Sequence, residues 1–143
     1  MRRYLLDTTP LTAYLQSRPA MVGLAQPWIR RREAATSIPV YGECLEYLKG
    51  FADFPQRHAQ LRRLLHAIAP ISLDAAVMER YADLRRQLRP PHGPGLVGDV
   101  DTLITATALE HDLTLVTTDG DFERVPDLRL ILLDRRTFQP VNR

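Results

Sequence analysis

The sequence predicts an α/β fold, a mostly parallel central sheet flanked by helices. Short apolar runs such as YLL at 4–6 and TLVT at 114–117 have the length of strands. The longer segments between them carry apolar residues at helical spacing. The two kinds alternate along the chain, the pattern of parallel strands joined by helical crossovers.

Tyr4, Leu5 and Leu6 form a first strand, closed by Asp7. Pro10 suits the first turn of a helix that Leu11 to Gln16 continue. Residues 20–34 carry Met21, Leu24, Ala25 and Trp28 at helical spacing, with a kink expected at Pro27. Residues 36–39 (TSIP) read as a second strand, and Val40, Cys44, Tyr47, Leu48 and Phe51 form the stripe of the next helix. Leu61, Leu64, Leu65 and Ile68 do the same over residues 56–69. Residues 70–73 form a small strand, and Asp74 caps a helix that turns Val77, Tyr81, Leu84 and Leu88 inward and Arg80, Arg85 and Arg86 outward. The loop PPHGPGLVG at 90–98 is the one segment rich in Pro and Gly. Residues 101–111 form a helix apolar almost all round, hence central. Residues 114–117 and 130–133 complete the strands.

A chain of 143 residues buries a sizeable core, and with no internal repeat or linker a single domain over 1–143 is expected. Apolar content of 45% with charged content of 25% excludes a disordered chain. The net charge of +2 does not by itself point to nucleic acid. Lys49 stands alone against eighteen Arg. Arg suits bidentate phosphate contact, although base-composition bias is the simpler account of the count. Pairs such as Arg62-Arg63 and Arg85-Arg86, and the run Arg30-Arg31-Arg32, are RNA-contact candidates or simply solvated helix faces. Cys44 has no partner for an intramolecular disulfide, which fits a reducing compartment. Asp7 interrupts the first apolar stretch too early for a signal peptide, and no apolar run approaches membrane-spanning length. A cytoplasmic protein with no membrane partner is expected. His58, His66, His92 and His111 are too scattered for a zinc site.

Four acids stand beside apolar runs: Asp7 after RRYLL, Glu43 within PVYGECLEYL, Asp101 opening DTLITATAL and Asp119 after TLVTT. Carboxylates are costly to bury unless a cation meets them. In parallel α/β sheets the active crevice lies at the carboxyl ends of the strands. Asp7 and Asp119 fall at such ends, and Glu43 and Asp101 fall near the starts of helices, so all four can meet on one edge. A divalent metal gathered there activates water and stabilises a leaving oxygen, the needs of phosphodiester cleavage. Each acid also has a plainer reading. Asp7 and Asp101 suit helix caps, Glu43 a solvated helix position and Asp119 a turn. Asp99 reads as a helix cap before a rim acid, Asp121 as a turn residue, and His92 as a solvated loop residue.

The segments LLDTT, PVYGECLEYL and DTLITATALEHDLTLVTTDGDF resemble the PIN-domain nucleases, and among them the VapC-type toxins of toxin–antitoxin pairs. The resemblance spans residues 4–133. It implies a three-layer fold and a metal-dependent endoribonuclease. Asp7, Glu43, Asp101 and Asp119 then hold Mg²⁺ or Mn²⁺. Asp7 and Asp101 are the main ligands, Asp119 is a ligand directly or through water, and Glu43 orients or deprotonates the attacking water. Thr8 and Thr117 match supporting hydroxyl positions. The resemblance also implies an RNA substrate, a protein antitoxin and a homodimer. Thr9, Pro39 within the second strand, and Thr105 depart from the pattern without removing an acid. An RNA-processing or DNA nuclease, or a domain that binds RNA or protein without cleaving, remain as alternatives. A haloacid-dehalogenase phosphatase needs an acid at Thr9, and a response-regulator receiver needs a late Lys, so both are excluded.

Overall fold

A computed structural model of the chain describes residues 1–141. Strand β1 (Tyr4–Leu6) is followed by α1 (Thr8–Leu15) and α2 (Pro19–Arg30). Strand β2 (Ala34–Ser37) leads into α3 (Ile38–Leu48) and α4 (Phe54–Ala67). Strand β3 (Pro70–Ile71) precedes α5 (Ala75–Leu88) and α6 (Asp99–Glu110), and β4 (Thr114–Thr117) is joined to β5 (Leu130–Leu132) through a short 3-10 helix, Gly120–Arg124.

The strands form one five-stranded sheet in the order β3-β2-β1-β4-β5, and every pairing is parallel. The expected α/β architecture, a sheet flanked by helices, is therefore what the chain adopts. Starting from β1 the chain winds outward through β2 and β3, then returns to lay β4 on the other side of β1. The winding direction thus reverses between β1 and β4, at whose carboxyl ends a crevice opens. Parallel strands covered on both faces are apolar throughout, and Leu5, Leu6, Ala34, Ala35, Leu115 and Val116 are all fully buried. Trp28 of α2 closes one end of the core by stacking on Tyr4, ring centroids 3.9 Å apart. A second apolar cluster lies between α5 and α6, where Val77, Leu84 and Leu88 meet Ala106 and Val97.

Helix α6 is central, as expected. Its buried threonines do not strand their hydroxyls: Thr102, Thr105 and Thr107 donate to the carbonyls of Gly98, Asp101 and Leu103, each four residues back. Thr105 thus occupies a small-residue position without an unpaired polar atom. Helix α2 runs on through Pro27; Gly23, whose carbonyl loses its partner there, is exposed to water.

Three expectations shift. The helix expected over 20–34 stops at Arg30, and Arg32 takes a φ of 56° that turns the chain into β2. The second strand is Ala34–Ser37, not 36–39, because Ser37 accepts the Val40 N–H as the cap of α3 (3.4 Å) and Pro39 sits in the first turn, where its missing N–H costs nothing. Pro39 therefore opens a helix and does not interrupt a strand. Tyr47 leaves the stripe of α3: Val40, Cys44 and Leu48 are buried at a spacing of four, whereas Tyr47 is 46% exposed. Among the described residues no helix is long and apolar enough to cross a membrane.

Candidate functional site

The crevice between β1 and β4 is built around Asp7. Its backbone N–H donates to the Val116 carbonyl of β4 (3.0 Å), which fixes it at the strand ends. One carboxylate oxygen, Oδ1, accepts the Thr8 N–H (2.8 Å) and caps α1, while Oδ2 accepts the Thr117 hydroxyl (2.7 Å). The helix-cap reading of Asp7 and its place in an acidic crevice both hold. The residue is buried, and burial pushes its carboxyl above the ordinary aspartate range against the opposing pull of those two bonds, with Glu43 and Asp119 pushing further.

Thr117 ties two acids together. Its oxygen accepts the Asp119 N–H (3.1 Å) while its hydroxyl donates to Asp7. Asp119 follows β4 directly and caps the short 3-10 helix by accepting the Asp121 N–H (2.9 Å). The turn expected there exists, and it leaves Asp119 at the sheet edge. Thr8 performs the corresponding task on the other side: its hydroxyl donates to Glu43 Oε1 (2.6 Å). Glu43 lies on α3, whose start is fixed at the end of β2 by the Ser37 cap, and it is half-buried.

Asp101 lies in the first turn of α6, and the cap of that helix is Gly98. The reading of Asp101 as a cap is therefore set aside. Burial, followed by Asp7, Asp119, Glu43 and Asp121 in that order, pushes its carboxyl up to about 6. Thus all four acids singled out in the sequence lie within one electrostatic neighbourhood. Among the described residues none of them forms a salt bridge. Cys44 sits in the same field from below. Burial first, then Glu43 and Asp7, push its thiol up to about 12, so it stays protonated and apolar in behaviour.

Other candidates fall elsewhere. Asp99 neither caps α6 nor joins the acids: it opens the first turn and pairs with Arg85 of α5 at 2.5 Å. Arg85 is thus occupied, whereas Arg62, Arg63 and Arg86 are exposed. His92 is exposed in its loop. Asp121 was assigned only to a turn by its sequence, yet it adds to the field on Asp101 while pairing with Arg124 (3.2 Å). The signal was the Asp-Gly-Asp spacing, which a tight turn folds back on itself.

The donor set is all oxygen: four carboxylates and two hydroxyls, with no imidazole. Such a set fits a hard divalent cation and not zinc. Among the described residues no three Asp, Glu, His or Cys side chains close on a common point as a bound metal requires.

Solved structures of similar shape include VapBC2 from Rickettsia felis bound to a DNA fragment from their promoter (24% identity, TM-score 0.80, covering 92% of this chain and 98% of that one). DNA-bound VapBC from Salmonella typhimurium matches at 18% identity and TM-score 0.80, over 91% and 97% of the two chains. A toxin-antitoxin complex from Klebsiella pneumoniae matches at 23% identity and TM-score 0.69, over 87% and 94%. At these identities the likeness establishes the fold. No curated protein sequence matches the chain. The family model of the PIN domain matches residues 4–128. That span begins at the first residue of β1 and takes in all four clustered acids, and the chain belongs to the PIN domain family.

Proposed function

We propose that this chain is a metal-dependent endoribonuclease that cleaves RNA phosphodiester bonds, acting as the toxin of a type II toxin–antitoxin pair. The observation that carries the proposal is that Asp7, Glu43, Asp101 and Asp119 share one crevice at the strand ends, Asp7 and Asp101 raised by burial first and by neighbouring acids second, with no basic side chain pairing any of the four among the described residues. Acids serving only the fold would be paired. Membership of the PIN family and the VapBC likeness support the same reading.

Asp7 and Asp101 hold Mg²⁺ or Mn²⁺ in this proposal, with Asp119 joining directly or through water. When bound, the cation lowers the pKa of water and offsets charge developing on the phosphate. Thr117 keeps Asp7 Oδ2 oriented by its hydroxyl. Thr8 occupies Glu43 Oε1, which leaves Oε2 to orient the attacking water and take its proton. Burial and the neighbouring acids raise the carboxyl groups of Asp7 and Asp101, so a bound cation would offset the charge that the site otherwise leaves uncompensated. The partners in the proposal are an RNA substrate, an antitoxin protein and a second copy of the chain, with the cytoplasm as the place of action.

Purified protein incubated with RNA and Mn²⁺ or Mg²⁺ is expected to cleave internally and to stop on addition of EDTA. Expression of the chain alone is expected to arrest growth, with relief by the co-expressed neighbouring antitoxin. Soluble protein that leaves both RNA and growth unchanged would remove the toxin reading. Cleavage of DNA alone would replace the RNA substrate.

A further inference from the structure

A groove of about 310 Å³ with mixed polar and apolar walls runs along α1 from Thr8, beside the acidic crevice. Thr8, Thr12 and Gln16 line it at a spacing of four, so they form one stripe along the helix. The stripe is about 12 Å long at the rise of an α-helix. At its inner end Thr8 is the residue that holds Glu43. At its outer end the groove reaches Arg18 and Arg135. Tyr47 of α3 forms part of the wall, with its hydroxyl accepting the Gln16 amide (2.9 Å) and 46% of its surface exposed. No carboxylate belongs to the groove lining. Negative charge is thus confined to one end and positive charge to the other.

The two arginines differ. Arg18 is anchored, donating to the Arg136 carbonyl (3.0 Å) and lying over the Phe138 ring at 5.0 Å. Arg135 is exposed and has no partner among the described residues. The hydroxyls of Thr8 and Thr12 are spent on Glu43 and on helix carbonyls, so the groove offers a guanidinium fork and the Thr9 hydroxyl for phosphate, the second amide hydrogen of Gln16 for a sugar or phosphate oxygen, and an exposed aromatic ring for a base. Those are the means by which a single strand is held without regard to sequence.

We infer that the α1 groove holds the sugar–phosphate backbone of one nucleic-acid strand adjoining the cleaved bond, with Arg135 on a phosphate and Tyr47 stacked on a base. The inference rests on the nuclease reading, because the acids at the groove mouth are what the strand is being delivered to. Tyr47 was expected in the core; its exposed ring beside the hydroxyl stripe is what the inference assigns to a base. The Arg clusters at the end of α2 and on α4 lie outside this groove.

Binding of a fluorescein-labelled single-stranded RNA of mixed sequence, measured by anisotropy with Mg²⁺ on an Asp101→Asn background, tests this. Arg135→Glu is expected to weaken binding at least tenfold and to lessen its salt dependence. Tyr47→Ala is expected to weaken it about tenfold, whereas Tyr47→Phe keeps the ring and binds like the background. Arg129→Glu, at the amino ends of the strands, makes the same charge change and is expected to alter binding less than twofold. Arg135→Ala repeats the test with a smaller perturbation, and circular dichroism checks that each variant is folded. RNA binding that is absent from the start, or equal in Arg135→Glu and Arg129→Glu, overturns the inference, the latter leaving the groove to a protein segment. Should the Asp101→Asn background still cleave, the active-site proposal fails, and the KM for the same RNA reads the groove independently.

Discussion

Asp101 and Thr117 show how much rests on single atoms at the crevice. Asp101→Asn keeps the shape of the side chain and removes one of several crowded charges. Cleavage is expected to fall by orders of magnitude, while the metal-free protein melts at the same temperature or higher, since repulsion is relieved. The pH dependence follows from the same carboxyl group. Its pKa rises from 3.8 to about 6 on folding, so the folded state binds the extra proton between those values. Stability of the metal-free chain therefore falls as pH rises from about 4 to about 6. Asp7 is raised too and acts in the same sense. Asp53 and Asp134, held low by Arg57 and by backbone donors respectively, act in the opposite sense only at more acid pH. Melting curves without metal across pH 4 to 7 check this, and Asp101→Asn is expected to flatten them; a parent-like slope in that variant would remove Asp101 as the cause. Thr117→Val removes the donor to Asp7 Oδ2 and leaves the Asp119 N–H without its acceptor. A loss of about 1–3 kcal/mol is expected from denaturant unfolding, together with weaker Mn²⁺ binding by calorimetry. Unchanged metal affinity would show that Asp7 needs no such orientation.

Helix caps decide where the elements start and therefore which acids meet. Ser37 sets the beginning of α3 and so the position of Glu43. Gly98 opens α6 without a side-chain bond and puts Asp101 in the first turn, where the helix dipole favours a carboxylate. Asp74 caps α5 by accepting the Val77 N–H (3.0 Å), yet α5 contributes no acid to the crevice. Asp74→Ala is expected to cost about 1 kcal/mol of stability while cleavage at a temperature below the transition is unaffected. Asp74→Asn is expected to retain the stability. A cleavage defect in a folded Asp74→Ala protein would tie α5 to the site and contradict the separation of the second apolar cluster from the chemistry.

On the scale of the whole molecule, the sheet order places the crevice between β1 and β4, and the arginines lie around it unevenly. Arg62 and Arg63 are exposed on α4. If they carry long-range attraction for RNA, reversing both charges weakens binding and lowers its salt slope without altering metal affinity. Unchanged affinity across a salt series would return them to the role of a solvated face, which their position outside the α1 groove favours.

The sequence alone determined the alternation of strands and helices, and hence a parallel sheet, because apolar periodicity records which face of each element is buried. It also marked Asp7, Glu43, Asp101 and Asp119, because an acid next to a buried run is chemically conspicuous wherever the run ends. It misplaced β2 by two residues because Thr, Ser, Ile and Pro suit a strand edge or a helix start, and only the packing of Ala34 and Ala35 in the sheet decides between them. The sequence set Asp101 above Asp99 by its fit to the pattern of the four acids, with no account of what Asp99 meets. The two part in three dimensions, where successive helical positions two apart face different ways, one toward Arg85 and the other toward the acids. The groove along α1 was not legible at all. Its walls come from α1, α3 and the segment after β5, and residues as distant as Thr8 and Arg135 become neighbours only when the parallel sheet brings its strand ends to one edge.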